Sequence, residues 1–434
     1  MFKSARLGAW LDRRSGTAFV LYASGAAFAA YSCMYAFRKP FAVGHFAGLE
    51  FLGMDYKTLI VIAQVIGYML SKFLGIRVIA ELGRTRRPLL LLVLIGSAEA
   101  ALVLFAVVSP PWNFVFLFLN GIPLGMVWGV VFSYLEGRRS TDLMTLGLCV
   151  SFIVASGFVK TVGKWILGWG VSEFAMPALA GALFFLPLLI CAFLLENLPP
   201  PSADDEALKT RRIPMSGADR KAFFTAFFPG LILMIAAYLL LTAYRDFRDN
   251  YMADIWEMLG FGRSAAVFTA TEVPVAAGVL VLLALIMRVR DNYRALVINH
   301  LAVFGGFVVV GLATLLFQAG LLSAPVWMAL VGFGLFLGYV PFNGIIYDRL
   351  IAVFRYPSNA GYLIYVGDFV GYLASVVVLG YKSFFQKTAS YYSFFVAGSY
   401  VLSLVGSVLT ALSLAYFASR RKAWPPGSQA GRGS

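Results

Sequence analysis

The residues with chemistry to offer in this sequence are charged side chains set inside long apolar runs. Arg38 and Lys39 interrupt "YSCMYAFRKPF" at 31–41, Lys72 sits in "YMLSKFLGI", and Lys160 and Lys164 lie one turn apart in "GFVKTVGKWIL". Glu99, Glu272 and Asp368 fall within other apolar stretches, and Arg245 and Arg248 stand in "YRDFRDNYMADIW". In hydrocarbon an ionisable group is costly unless it faces a cavity or a partner, so each of these is a functional candidate. A guanidinium stays charged and offers a planar fork to phosphate or carboxylate, which makes the arginines candidate anion ligands. The bland alternative for the basic residues is snorkelling to the membrane interface. For the carboxylates it is structural ion pairing, against a role in proton or substrate coupling. Asp246, Asp249 and Asp254 stand beside the two arginines of the later stretch and could neutralise them.

The elements that position these residues follow from composition. Of 434 residues, 60% are hydrophobic and only 13% charged, well away from soluble averages near half and a quarter. Apolar stretches of membrane-crossing length recur from end to end. The expected fold class is an all-α polytopic membrane protein. Twelve spans are expected at approximately 17–37, 58–80, 88–108, 112–135, 143–168, 175–195, 223–243, 264–288, 294–317, 325–350, 357–382 and 391–418.

The net charge of +14 serves topology rather than nucleic-acid binding. With the N-terminus inside, the cytoplasmic segments hold 24 of the 35 Lys and Arg, including Arg13, Arg14, Arg211 and Arg212. That bias places both termini in the cytoplasm. The first apolar segment reads as a retained span, not a cleaved signal peptide. An inner-membrane location and a monomer are expected, with the lipid bilayer as the constant partner.

The longest polar interruption, "ENLPPPSADDEALKTRRIPMSGADRK", divides the spans into six and six. The expected organisation is a cytoplasmic N-terminus (1–16), a six-helix bundle (17–195), a cytoplasmic linker (196–222), a second six-helix bundle (223–418) and a cytoplasmic tail (419–434). Two short echoes suggest that the bundles are pseudo-symmetric. "AFR" at 36–38 matches "AYR" at 243–245, and "LGMV" at 124–127 matches "LGYV" at 337–340. If spans 5 and 11 correspond, Lys160 and Asp368 are a candidate buried pair. In span 1, apolar character resumes after Pro40. A helix continuing through "PFAVGHFA" would set Arg38 inside the bundle.

Other chemistry is not supported. The three cysteines fall in separate spans, and His45 and His300 are the only histidines. No metal set, nucleophile–base spacing or nucleotide-binding loop is visible. Neither a cofactor nor an enzyme activity is expected.

Three motifs carry a resemblance. "RK" at 38–39 closes an aromatic-rich first span, "YMLSKF" at 68–73 lies in the second, and "NGIPLGMVW" at 120–128 lies in the fourth. Together they resemble the major facilitator superfamily, in particular the organophosphate:phosphate antiporter branch of the glycerol-phosphate transporters. The resemblance implies a secondary active transporter working by alternating access on a small organic or phosphorylated anion, with protons or phosphate as counter-substrate. It places the anion on Arg38 and on a span-7 arginine, Arg245 or Arg248, with Lys72, Lys160 and Trp128 around it. Asp368, Glu99 and Glu272 become candidates for coupling or gating. Departures are specific: Trp128 is followed by Gly129 and Val130 rather than two prolines, and Lys160 stands near the branch's span-5 histidine position. The alternatives are a proton-coupled carrier of a neutral or cationic solute, and a transport-dead membrane sensor or scaffold.

Overall fold

The computed structural model describes residues 4–12, 16–80, 83–138, 140–201, 205, 217–343, 345–356 and 360–423. Arg13, Arg14, Arg211, Arg212, most of the expected 196–222 linker and the tail from 424 lie outside the described residues.

Among the described residues the regular structure is helical apart from one small hairpin, β1 (Glu50–Phe51) paired antiparallel with β2 (Met54–Asp55). The helices before the long polar segment are α1 (Ala5–Asp12), α2 (Thr17–Tyr35), α3 (Tyr56–Ala80), α4 (Arg87–Val107), α5 (Phe114–Leu135), α6 (Thr141–Gly168) and α7 (Met176–Glu196). After it come α8 (Gly217–Ala226), α9 (Phe228–Met258), α10 (Ala266–Met287), α11 (Asn292–Gln318), α12 (Ala324–Tyr339), α13 (Ile345–Phe354), α14 (Ala360–Phe385) and α15 (Tyr391–Ala423). Among the described residues, 11 helices are long and apolar enough to cross a membrane. Helix α3 occupies the remaining expected span. This is a multi-pass membrane protein.

Three spans differ from the sequence expectation, each for a visible reason. The α-helix of span 1 does not run on through "PFAVGHFA". The N–H groups of Ala36, Phe37 and Arg38 reach back only three residues, at 3.0, 3.1 and 3.0 Å, the tighter winding of a 3₁₀ turn. Pro40, with no N–H to donate, then opens a 3₁₀ segment, Pro40–Val43. Span 7, expected to end at 243, instead continues to Met258, because the charged residues of its last turns find protein partners. Span 10 is broken into α12, a 3₁₀ turn at Val340–Asn343 containing Pro341, and α13.

The chain forms two compact units. The first comprises Met1–Lys209, Asp246–Leu280 and Ser375–Phe395; the second comprises Thr210–Arg245, Val281–Ala374 and Val396–Ser434. In the first, α3 packs along α5, α4 lies against α5 and α7, and α2 lies against α6 and α7. Small residues set the closest of these approaches. A Cβ on Gly67 would lie 2.1 Å from the Phe118 carbonyl oxygen, and one on Gly121 would lie 2.3 Å from that of Gln64. The backbones of α3 and α5 therefore touch, which brings two polar residues, Gln64 and Asn120, face to face. In the second unit α11 packs on α12 and α13.

Candidate functional site

Arg38 is held by an amide relay that these close helices create. Gln64 Nε2 donates to the Arg38 carbonyl at 3.0 Å and to Asn120 Oδ1 at 2.8 Å. Asn120 Nδ2 in turn donates to the carbonyls of Phe37 (3.1 Å) and Ala98 (3.0 Å). A non-helical turn has carbonyls that its own helix cannot satisfy, and two buried amides satisfy them here. The turn is thereby fixed, and Arg38 is only 5% exposed. Its guanidinium carbon lies 3.9 Å from the centre of the Tyr68 ring and 6.0 Å from that of Tyr35. Lys72 is half-buried, with Nζ 5.2 Å from the same Tyr68 ring. One tyrosine thus carries two cations from different elements, a cation–π arrangement.

A second cluster lies in the same unit. Asp249 of α9 accepts from Lys160 and Ser156 of α6, and its other oxygen is 2.5 Å from Lys39 Nζ. Lys39 also donates to Asn250 Oδ1 at 3.0 Å. One residue along, Arg248 pairs with Glu272 of α10 at 2.7 Å, both side chains almost fully buried. Gly157 makes room for Glu272: a Cβ there would lie 2.8 Å from Glu272 Cγ. Further along α9, Lys57 binds Asp254 at 2.6 Å, while Asp246 accepts from Ser375 at 2.9 Å.

Arg245 belongs to the second unit, as does Asp368. The Arg245 guanidinium lies 4.0 Å from the Tyr339 ring centre, and Tyr339 stacks on Tyr238 at 5.2 Å. The Tyr238 hydroxyl donates to Asp368 at 2.7 Å. Asp368 thus accepts from Tyr238 in the second unit, and Lys160 donates to Asp249 in the first.

Two candidates stand elsewhere in the first unit. Glu99 of α4 packs against Gly181 of α7, where a Cβ would lie 2.1 Å from Glu99 Oε2 and 2.9 Å from Phe37. Trp128 stacks on Phe132 at 4.9 Å. The sequence reading did not single out Gln64, Ser156 or Asn250. The available signal was an amide or second charge inside an apolar run, as in "IVIAQVIGY" and "FLNGI".

The fold is of the major facilitator type. The chain is similar to the D-xylose-proton symporter, with TM-score 0.62 and 15% identity over 91% of this chain and 96% of that one. It is similar to a bacterial homologue of the human drug peptide transporters PepT1 and PepT2, with TM-score 0.62 and 16% identity over 93% and 98%. Similarity to the nucleoside transporter NupG gives TM-score 0.58 and 12% identity over 92% and 98%. A comparison with curated protein sequences finds no match. The profile of the family of unknown function DUF5690 matches residues 40–420, and the chain belongs to that family.

Proposed function

We propose that the protein is a secondary active transporter that moves a small organic or phosphorylated anion by alternating access, with Arg38 as the primary anion ligand. The observation that carries this reading is Arg38, whose backbone turn the Gln64–Asn120 relay fixes and whose guanidinium lies on the Tyr68 ring, with Lys72 beside the same ring. Holding an arginine rigid before the ligand arrives reduces the ordering cost of binding. The solved proteins of similar fold are named as transporters of a sugar, peptides and nucleosides, which favours transport over catalysis or a scaffold. Resemblance to the organophosphate:phosphate antiporters in "RK" and "YMLSKF" points to a phosphorylated solute, with phosphate or protons as the counter-substrate. Of the two span-7 arginines that the resemblance offers, this reading takes Arg245, whose guanidinium lies on Tyr339, and leaves Arg248 to its pair with Glu272. Trp128 lines the anion site in this reading, and Asp368 and Glu99 serve coupling.

One observation favours a second reading, a proton-coupled carrier of a neutral or cationic solute. Lys39, Lys57, Lys160 and Arg248 are all engaged by carboxylates, so four of the buried cations are neutralised locally. Thermal stabilisation of the purified protein by a panel of phosphorylated, carboxylated and neutral metabolites separates the readings. Stabilisation by anions that Arg38→Lys weakens about ten- to a hundredfold supports the anion site, because an ammonium lacks the planar fork. Stabilisation by neutral solutes alone, unchanged in Arg38→Lys, supports the carrier.

The two six-helix halves, the cytoplasmic linker and the cytoplasmic termini are part of the same proposal, supported by the Lys and Arg bias. Single cysteines at Asp205 and Leu321 test it with an impermeant thiol reagent applied from outside. Leu321→Cys labels and Asp205→Cys does not; the reverse pattern overturns the topology.

A further inference from the structure

We propose that the end of α6 carries a binding site for the phosphate of an anionic phospholipid headgroup. A cavity of about 790 Å³ opens there, lined by Lys164, Trp165 and Trp169 on one side and by Gly262, Arg263 and Ala265 on the other. The opposing walls are tied together one turn below. The Thr161 hydroxyl donates to the Ala265 carbonyl at 2.8 Å and lies 2.8 Å from the Thr269 hydroxyl. The cavity is therefore built between fixed elements.

Its charge is what distinguishes it. In the same unit Lys39, Lys57, Lys160 and Arg248 each meet a carboxylate. Among the described residues neither Lys164 nor Arg263 has an ion-pair partner, and no carboxylate lines the cavity. The nearby Glu257, whose Cγ would lie 3.2 Å from a Cβ on Gly262, directs its carboxylate to His45 Nε2 at 3.2 Å. Two cations therefore converge on one cavity without a protein counter-ion, at an end of the molecule that the charge bias expects to be poor in Lys and Arg.

The two indoles select a lipid over a free anion. Trp165 is 51% and Trp169 66% exposed. An exposed indole is most stable at the boundary between hydrocarbon and headgroups. A phosphodiester between the cations would leave its acyl chains along the ring faces. Free phosphate would gain the charges and leave the rings unused.

Tryptophan quenching in nanodiscs tests the site without knowledge of the transported solute. Full-length protein is placed in phosphatidylcholine containing a small fraction of brominated phosphatidylglycerol or, in parallel, brominated phosphatidylcholine. The signal lost in Trp165→Phe/Trp169→Phe isolates these two of the eight tryptophans. Brominated phosphatidylglycerol is expected to quench them roughly tenfold more effectively per lipid than brominated phosphatidylcholine. Lys164→Gln/Arg263→Gln should bring that ratio to about one, and the charge-preserving Lys164→Arg/Arg263→Lys should retain it. Equal quenching by both lipids in the unmodified protein, or a preference surviving in the neutral pair, overturns the proposal. Loss of the preference on adding inorganic phosphate would identify a free anion as the occupant and overturn it as well.

Discussion

Asp249 in the first compact unit and Gly306 in the second join helices in opposite ways. Asp249 brings together Lys39 and Lys160, whose side chains are 4% and 1% exposed, while its own is 18% exposed. Gly306 of α11 holds α12 by having nothing to bury: a Cβ there would lie 2.4 Å from the Gly334 carbonyl oxygen. The relation is reciprocal, since a Cβ on Gly334 would lie 2.5 Å from the Gly306 oxygen. Backbone contact of this kind is a steric fit with one good geometry. An ion pair depends on each partner being present, and its desolvation cost appears when one is removed. Long sequence separations join the charges of the first unit, whereas the glycine contact lies between consecutive helices. The charged junction therefore fails when one partner is removed, and the packed pair when an atom is added.

The largest expected effect falls on the charged side of that comparison. Asp249→Asn leaves two buried ammonium groups without their shared counter-ion and should destabilise the protein by about 3–5 kcal/mol. Thermal unfolding in detergent would register this as a large drop in midpoint. The triple change Lys39→Met/Lys160→Met/Asp249→Leu should recover most of it, because apolar side chains replace a buried ion cluster at little cost. If the triple variant is as unstable as Asp249→Asn, lone-charge desolvation is not the cause and the comparison fails.

On the packed side, Gly306→Ala should cost about 1–3 kcal/mol, the usual range for overfilling a close contact. The same unfolding assay reads it, and adding salt should leave the loss unchanged. A strong salt dependence would mean that charge also matters at this helix pair. The smallest expected effect is Tyr238→Phe, which removes the hydroxyl donated to Asp368 and should cost about 1 kcal/mol. A loss as large as that of Asp249→Asn would show that the second unit relies on Asp368 as heavily as the first relies on Asp249.

Residue types and their order were sufficient for some conclusions. An apolar fraction of 60%, with long runs repeated along the chain, leaves helical membrane spans as the stable solution, because only internally bonded backbone tolerates hydrocarbon. Candidate charges were legible for the same reason, since each stood out against an apolar background. Residue order left a continued span 1 open at Pro40, and the break of span 10 at Pro341 was not read from it.

Partner choice was not legible. Lys39 and Asp249 are 210 positions apart, and no local pattern says that this aspartate serves Lys39 and Lys160 while Arg248 beside it turns to Glu272. That outcome depends on which face of α9 meets α6 and how closely Gly157 lets α10 approach. It also depends on the turn at 36–38 that ends the first span just before Lys39. The sequence therefore determined that charges would be buried in a helical membrane protein, because burial follows from composition and span length. Tertiary structure decided which charges neutralise one another and which lie on aromatic faces, because Coulombic and hydrogen-bond energies act over a few ångströms that only packing sets.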